Sequence, residues 1–222
     1  KKLFIMIEIA IDGTAASGKG TLAKKLAKKY DFAHLDTGLL YRKVADELII
    51  IKKDTSTAIE SYTYKIASNL NFLELKKESL RSEETAKLAS FIATYPKLRE
   101  ILDSKQKEFV EINKTKSHGC ILDGRDIGTK ILPKADFKFF IDASIEVRAK
   151  RRLLEKNISF LHENDEKCML QSLIMDMKER DRLDRSRKSS PLVPAYDAHV
   201  IDTSYMSSDE LLSKVTKIIE GI

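Results

Sequence analysis

The stretch Ile9-Ala10-Ile11-Asp12-Gly13-Thr14-Ala15-Ala16-Ser17-Gly18-Lys19-Gly20-Thr21-Leu22 decides the fold. Before the turn, an apolar run from Leu3 to Ile11 reads as a buried parallel strand. After it, Leu22, Ala23, Leu26, Ala27 and Tyr30 recur at helical spacing with lysines between them. The order is strand, loop, helix. The loop contains Gly13-x-x-x-x-Gly18-Lys19, the core of a phosphate-binding turn. Glycine lets the backbone wrap closely round an anion, because it has no side chain and tolerates positive φ. The loop N–H groups and the helix N-terminus then face that anion, and Lys19 adds a full charge. The residue after Lys19 is Gly20 rather than Ser or Thr, and the hydroxyl comes one place later at Thr21. This spacing argues against direct Mg²⁺ ligation by the loop.

The chain has 222 residues, enough for one α/β domain with small inserted lobes. Hydrophobic residues make up 42% and charged residues 33%, which excludes a disordered polymer. A balance of 40 basic against 34 acidic residues gives +6 and favours an anionic partner. No apolar run approaches the roughly 20 residues of a membrane span. Lys1 to Ile7 superficially suggests a signal sequence. Glu8 interrupts its apolar stretch, however, and the segment runs straight into the loop, so it reads as the first strand. Cys120 falls in an apolar strand and Cys168 in a helical stretch, far apart and without metal spacing. Both read as reduced packing residues of a cytosolic protein.

Four further apolar strands follow: Phe32 to Leu35, Gly119 to Leu122, Asp136 to Asp142, and His199 to Asp202. Helical patterns alternate with them, which predicts a parallel sheet covered on both faces. Asp36 or Thr37 can cap a helix with the apolar face Leu39, Leu40, Val44, Leu48 and Ile49. Between Asp54 and Phe109 only Asn71 to Leu75 has a strand pattern. The rest reads as helices over 57–70, 82–95 and 96–112, a helical excursion with the look of an inserted lobe. From pattern alone, Ser90 and Arg99 sit there as solvated face residues. Ser144 or Ala143 opens a later helix. Lys156 to Lys167 is polar and poorly periodic, with the makeup of a mobile loop, and a helix starts at about Cys168. The last helix spans Ser207 to Ile219.

Polar clusters sit at strand ends, where open α/β sheets bind ligands. Arg42 follows the second strand. Asp123-Gly124-Arg125-Asp126-Ile127-Gly128-Thr129 follows the third, with more charge than a connection needs. Arg180 to Arg187 holds four arginines in eight residues. Arginine suits bidentate recognition of phosphate and carboxylate better than lysine does.

Taken in order, these motifs resemble bacterial cytidylate kinases. They are Ile-Asp-Gly-x-x-x-Ser-Gly-Lys-Gly-Thr at 11–21, Leu-Asp-Thr-Gly-Leu-Leu-Tyr-Arg at 35–42 and Leu-Asp-Gly-Arg-Asp-Ile-Gly-Thr at 122–129. The others are Arg-Asp-x-x-Asp-x-x-Arg at 180–187, Ser-Pro-Leu-x-Pro-Ala-x-Asp-Ala at 190–198 and Ile-Asp-Thr-Ser at 201–204. Gly-Lys-Gly-Thr itself resembles nucleoside monophosphate kinases more than GTPases. The resemblance spans nearly the whole chain and implies a five-stranded parallel sheet with helices on both faces. It implies a core over 1–36, 110–153 and 168–222, a nucleoside-monophosphate-binding lobe over about 37–109, and a lid over about 154–167. It further implies transfer of the γ-phosphoryl of ATP, with Mg²⁺, to CMP or dCMP in a monomeric cytoplasmic enzyme without nucleic-acid or membrane partners.

By the same resemblance, Gly13, Thr14, Ala15, Ala16, Ser17, Gly18, Lys19, Gly20 and Thr21 would hold ATP, helped by Arg148, Arg151 and Arg152 of Glu-x-Arg-Ala-x-Arg-Arg at 146–152. Thr37, Arg42, Arg125 and Arg180 would hold the acceptor. Ser90, Arg99 and Asp126 would read cytosine, and Asp184 with Arg180 would meet the sugar. Lys19, Arg125, Arg180 and Arg187 would surround the transferring group. Thr14 stands where the family usually has proline, which should loosen the loop slightly. The segment 72–82 is shorter than in longer members, where extra strands follow the position of Leu75. Other readings are a kinase for AMP, UMP or shikimate, and a nucleic-acid-binding or regulatory GTPase. Against the GTPase stands Asn113-Lys114-Thr115-Lys116, which ends in lysine where guanine recognition needs aspartate.

Overall fold

The computed structural model describes residues 6–51, 56–76, 78–156, 158, 162–187 and 189–221. Leu3 to Ile5 of the expected first strand lie outside them, as do Asn157 and residues 159–161 of the expected lid. The elements begin β1 (Ile7–Gly13), α1 (Lys19–Tyr30), β2 (Ala33–Asp36), α2 (Gly38–Ile51) and α3 (Ser56–Ser68). Two 3₁₀ turns (Phe72–Lys76 and Glu78–Arg81), α4 (Glu83–Ile92) and α5 (Pro96–Asn113) follow. Then come β3 (Gly119–Gly124), a π turn (Ile127–Ile131), β4 (Phe137–Asp142), α6 (Ile145–Glu155), α7 (Glu163–Ser186), β5 (His199–Asp202) and α8 (Ser208–Glu220).

The strands form one five-stranded parallel sheet, ordered β2-β3-β1-β4-β5. Register places Ile11 opposite Asp123, and Gly13 opposite Ile141. The carboxyl ends of β1, β3 and β4 therefore lie side by side. The chain leaves β1 toward β2 and leaves β4 toward β5, so its connections diverge between those two neighbouring strands. Such a switch point is where α/β sheets open a crevice for ligands.

The chain divides into two compact units, Lys1–His34 with Ser117–Ile222, and Leu35–Lys116. In the first, Ile9, Ile11, Ile121, Phe139, Ile141 and Ile201 present one sheet face to Leu22, Ala23 and Leu26 of α1 and Leu211 and Val215 of α8. Ala10, Cys120, Leu122 and Phe140 alternate onto the other face and are buried too. Unbroken apolar strands follow from burial on both faces. The Cys120 thiol is pushed up to about 12 by that burial, with Glu8 adding to it. Ser207 and Glu210 close a reciprocal capping box on α8, and Ser144 caps α6. Such caps each contribute about 1 kcal/mol.

The expected start of α7 is corrected: it begins at Glu163, not at about Cys168. Glu163, Asp165 and Glu166 occupy its first turn, where negative charge offsets the helix dipole, so a polar run without apolar period is still helical. Cys168 is corrected as well. It is exposed on that helix and is not a packing residue.

The second unit is helical. Asn71 to Leu75 is corrected from a strand to a 3₁₀ turn. The Asn71 side chain accepts the Leu73 N–H at 3.0 Å, and its carbonyl accepts the Glu74 N–H at 3.2 Å. That closes a turn locally. Phe72 stacks edge-on against Phe109 and Leu75 is buried, while Leu73 is 79% exposed. The spacing of three, rather than alternation, sets what is buried. Ser82 caps α4 by accepting the Thr85 N–H, and Pro96 opens α5 as its position predicts.

Candidate active site

The phosphate loop is built on three unusual backbones. Gly13 has φ 152°, and a Cβ there would lie 2.0 Å from the Ile141 carbonyl oxygen, so no other residue fits. Gly18 has φ 95° and opens α1. Ala16 has φ 58°, a left-handed conformation. Successive turns of this kind point N–H groups into a concavity for an anion. Lys19 folds along the loop, its Nζ donating to the Thr14 carbonyl at 3.1 Å. The Ser17 hydroxyl donates to the same carbonyl at 3.0 Å.

The loop is also gripped from outside. Thr14 was expected to loosen it. Instead the Thr14 side chain is buried and its hydroxyl donates to Asp142 at 2.6 Å, so a hydrogen bond replaces the stiffness of a proline ring. Arg148 Nη1 reaches the Ala15 carbonyl at 3.4 Å. Arg151 Nη1 donates to the Ser17 carbonyl at 3.3 Å, and the Thr203 hydroxyl donates to it at 2.8 Å. Arg151 also ties down the segment after β5, through the carbonyls of Thr203 and Met206. Arg152 lies one turn away from this work and pairs with Glu155 at 2.9 Å. Beside the loop lies a cleft of about 540 Å³, lined among others by Gly18, Thr21, Arg151, Leu154, Met206 and Leu211.

At the end of β1, just before the loop, Asp12 anchors the turn after β3. Its carboxylate accepts the N–H groups of Ile127 and Gly128, both at 2.8 Å. Burial lifts its pKa to about 6, against the opposing pull of those two bonds. Asp126 is buried at the head of this π turn, and its carbonyl accepts the Lys130 N–H at 2.9 Å. Asp123 accepts from His34 at 2.7 Å through Oδ1, while Oδ2 lies 3.6 Å from where a Cβ would stand on Gly20.

Asp184 is the focus of the arginine run. Arg125 Nε donates to its Oδ2 at 3.0 Å, and Arg187 donates to its Oδ1. Burial alone would raise its pKa, but the charges of Arg125, Arg187 and Arg180 outweigh that and hold it below the usual carboxylate range. One buried carboxylate thus collects guanidinium groups from β3's end and from α7. The strap after α7 is fixed to the same point, since the Leu192 N–H donates to the Asp184 carbonyl at 2.8 Å. Further along, Asp197 pairs with the buried Lys138 at 2.7 Å.

In the second unit, Arg42 donates to the Leu80 carbonyl at 2.9 Å. Thr37 is buried, and its carbonyl accepts the Leu40 N–H as α2 begins. Ser90 is half-buried on α4. Arg99 is corrected from a solvated residue: it is 5% exposed, with its guanidinium 5.9 Å from the Tyr41 ring centroid. A cation over an aromatic face explains how a charged side chain is accommodated there.

The first unit therefore brings Gly13 to Thr21 together with Arg148 and Arg151, and Arg125 together with Asp184 and Arg187. Four residues have roles that the sequence left unread: Asp12, Asp142, Asp181 and Thr203. All but Asp142 lie inside quoted motifs, but only their contacts reveal what each one holds.

A central strand running into a glycine-lysine anion turn, with cations on neighbouring strand ends, defines a P-loop phosphotransferase. The family model described as cytidylate kinase matches residues 9–221. The cytidylate kinase of Bartonella bacilliformis is 42% identical over 216 residues, covering 96% of this chain and 94% of that one. That of Nitrobacter winogradskyi is 42% identical over 214 residues, covering 96% of each. The chain belongs to the cytidylate kinase family. Among solved structures, an uncharacterized protein from Eubacterium ventriosum aligns over 98% of this chain and 100% of its own, with TM-score 0.50 and 18% identity. At that identity it bears on the fold alone.

Proposed function

We propose that this chain transfers the γ-phosphoryl of ATP to CMP or dCMP, giving ADP and CDP or dCDP. The observation that carries this is the family match running unbroken through residues 9–221. Physically, two polyanions must meet, so the site needs cations. Lys19 and the loop N–H groups would hold the donor phosphates, and Arg125, Arg180 and Arg187 would neutralise the transferring group. The acceptor phosphate is already ionised at neutral pH, so no general base is required. Catalysis is then positioning and electrostatics.

The cleft of about 540 Å³ beside Gly18 and Leu211 suits the donor's nucleoside. On the second unit, Thr37, Arg42, Ser90 and Arg99 are assigned to the acceptor. On the first, Asp126, Arg180 and Asp184 share that work. The lobe over about 37–109 and the lid over about 154–167 belong to the same proposal, as do a monomeric state and a cytoplasmic location. The assigned residues all lie on one chain, and the substrates are small cytoplasmic metabolites. No described helix is long and apolar enough to cross a membrane.

Mg²⁺ fits this donor set in one way. Among the described residues no cluster of three or more His, Cys, Asp or Glu side chains forms a protein cage. Asp123 Oδ2 beside Gly20, with the Thr21 hydroxyl, would hold through water an ion whose other ligands are phosphate oxygens. Bound there, it would neutralise charge on the donor phosphates.

Cytosine offers an N4 amino donor and N3 and O2 acceptors. Asp126 can accept from the first, and Arg99 and Ser90 can donate to the others. Uracil presents a carbonyl to the carboxylate, a costly mismatch. Asp126→Ala is therefore expected to lower kcat/KM for CMP by about a hundredfold while changing KM for ATP less than about threefold. Steady-state ADP release with each substrate varied in turn checks this. Equal losses for both substrates count against a base-reading role.

A further inference from the structure

We propose that Arg148 orients the phosphate loop, held in place by Asp181, and does not serve as a ligand of ATP. Arg148 is 4% exposed, and its donors are engaged on all sides. Nε donates to the Ala143 carbonyl at 2.9 Å. Nη2 donates to Asp181 Oδ2 at 2.6 Å, and Nη1 reaches Asp181 Oδ1 at 3.3 Å, a bidentate pair. Nη1 also reaches the Ala15 carbonyl at 3.4 Å. A buried arginine committed in this way has little left to offer a nucleotide.

The bond to Ala15 has a geometric consequence. A trans peptide points its carbonyl and the next N–H in opposite directions. Holding the Ala15 carbonyl on the outside turns the Ala16 N–H to the inside, where the loop's donors converge. Ala16 is the residue that needs such a hold. Its φ of 58° is one that L residues rarely adopt, and no glycine stands there to make it easy. Thr14 supports the same arrangement, because Asp142, which accepts its hydroxyl, also accepts from Arg185 Nη2 at 3.3 Å. Asp181 and Arg185 both belong to α7, the helix that carries Arg180 and Asp184 and is followed directly by Arg187. The helix bearing the catalytic arginines thus also fixes the donor loop. Asp181, an unexplained member of the Arg-Asp-x-x-Asp-x-x-Arg motif, acquires a role as the clamp on Arg148.

The inference rests on ATP as the donor, and its test separates the two claims. Were Arg148 an ATP ligand, Asp181→Asn would release a cation and leave ATP binding as tight or tighter. As a clamp, Asp181→Asn should raise KM for ATP about tenfold, Arg148→Gln by about tenfold or more, and the double variant no further than Arg148→Gln alone. KM for CMP should stay within about twofold. In the nucleotide-free full-length enzyme, the Ala16 amide resonance should move or broaden in Asp181→Asn, a readout independent of turnover. Thermal unfolding verifies folding, and Asp181→Asn alone still decides the matter if Arg148→Gln does not fold. Unchanged or tighter ATP binding in Asp181→Asn overturns the proposal, and so does an unmoved Ala16 amide. A parent enzyme inactive on CMP with ATP would sink the proposed function and leave the amide measurement intact.

Discussion

Lys19→Met should lower kcat/KM for ATP by about a thousandfold, a loss of roughly 4 kcal/mol of transition-state stabilisation. Methionine keeps most of the length and the unbranched shape, and lets the first turn of α1 pack as before, but it removes the charge. The loop N–H groups remain, so nucleotide should still bind while the developing charge on the transferring phosphoryl goes unanswered. The loss should therefore fall mainly on kcat, since an interaction strongest in the transition state is the one removed. Steady-state ADP release, with circular dichroism to confirm the fold, checks this. Activity within tenfold of the parent would show that Lys19 is dispensable and that the arginines carry the work alone.

Asp184→Asn should cost about 3 kcal/mol of stability at pH 7 and reduce kcat about a hundredfold. Asparagine keeps the shape of the side chain. It cannot balance Arg125, Arg187 and Arg180, whose charges now hold the buried carboxyl below its ordinary value of 3.8. A depressed carboxylate pKa contributes stability that is present above the unfolded value and lost as pH falls through the folded one. The parent should thus lose this contribution only below about pH 4, and the gap between parent and variant should narrow there. Urea unfolding at pH 7 and pH 3 measures both. If parent and variant are equally stable at pH 7, Asp184 does not organise the arginines.

How much of this was legible without coordinates depends on how local the cause is. The strand from Ile9, the loop glycines and the stripe Leu22, Leu26 and Tyr30 are short-range patterns, and the sheet followed from them. Gly13 could be read as necessary, although its reason, the Ile141 carbonyl oxygen 2.0 Å from where a Cβ would stand, lies on another strand. Asn71 to Leu75 misled because Phe72 and Leu75 satisfy a strand alternation poorly and a 3₁₀ spacing well, a choice settled by Phe109 far along the chain. The start of α7 was hidden because its first turn is held by charge rather than by an apolar stripe. Thr14 is the clearest case. Its hydroxyl cannot be judged against proline until Asp142, 128 residues away, is seen to accept it. Arg148 and Arg151 were legible as belonging near the loop, but not as facing its carbonyls.

The central claim is most directly tested by ATP-dependent phosphorylation of CMP, dCMP, UMP, AMP and shikimate side by side, with ADP release measured for each. The predicted result is kcat/KM for CMP or dCMP at least about a hundredfold above that for the other three, with CDP or dCDP formed in step with ADP. Preference for AMP, UMP or shikimate, or ATP hydrolysis indifferent to CMP, would contradict it.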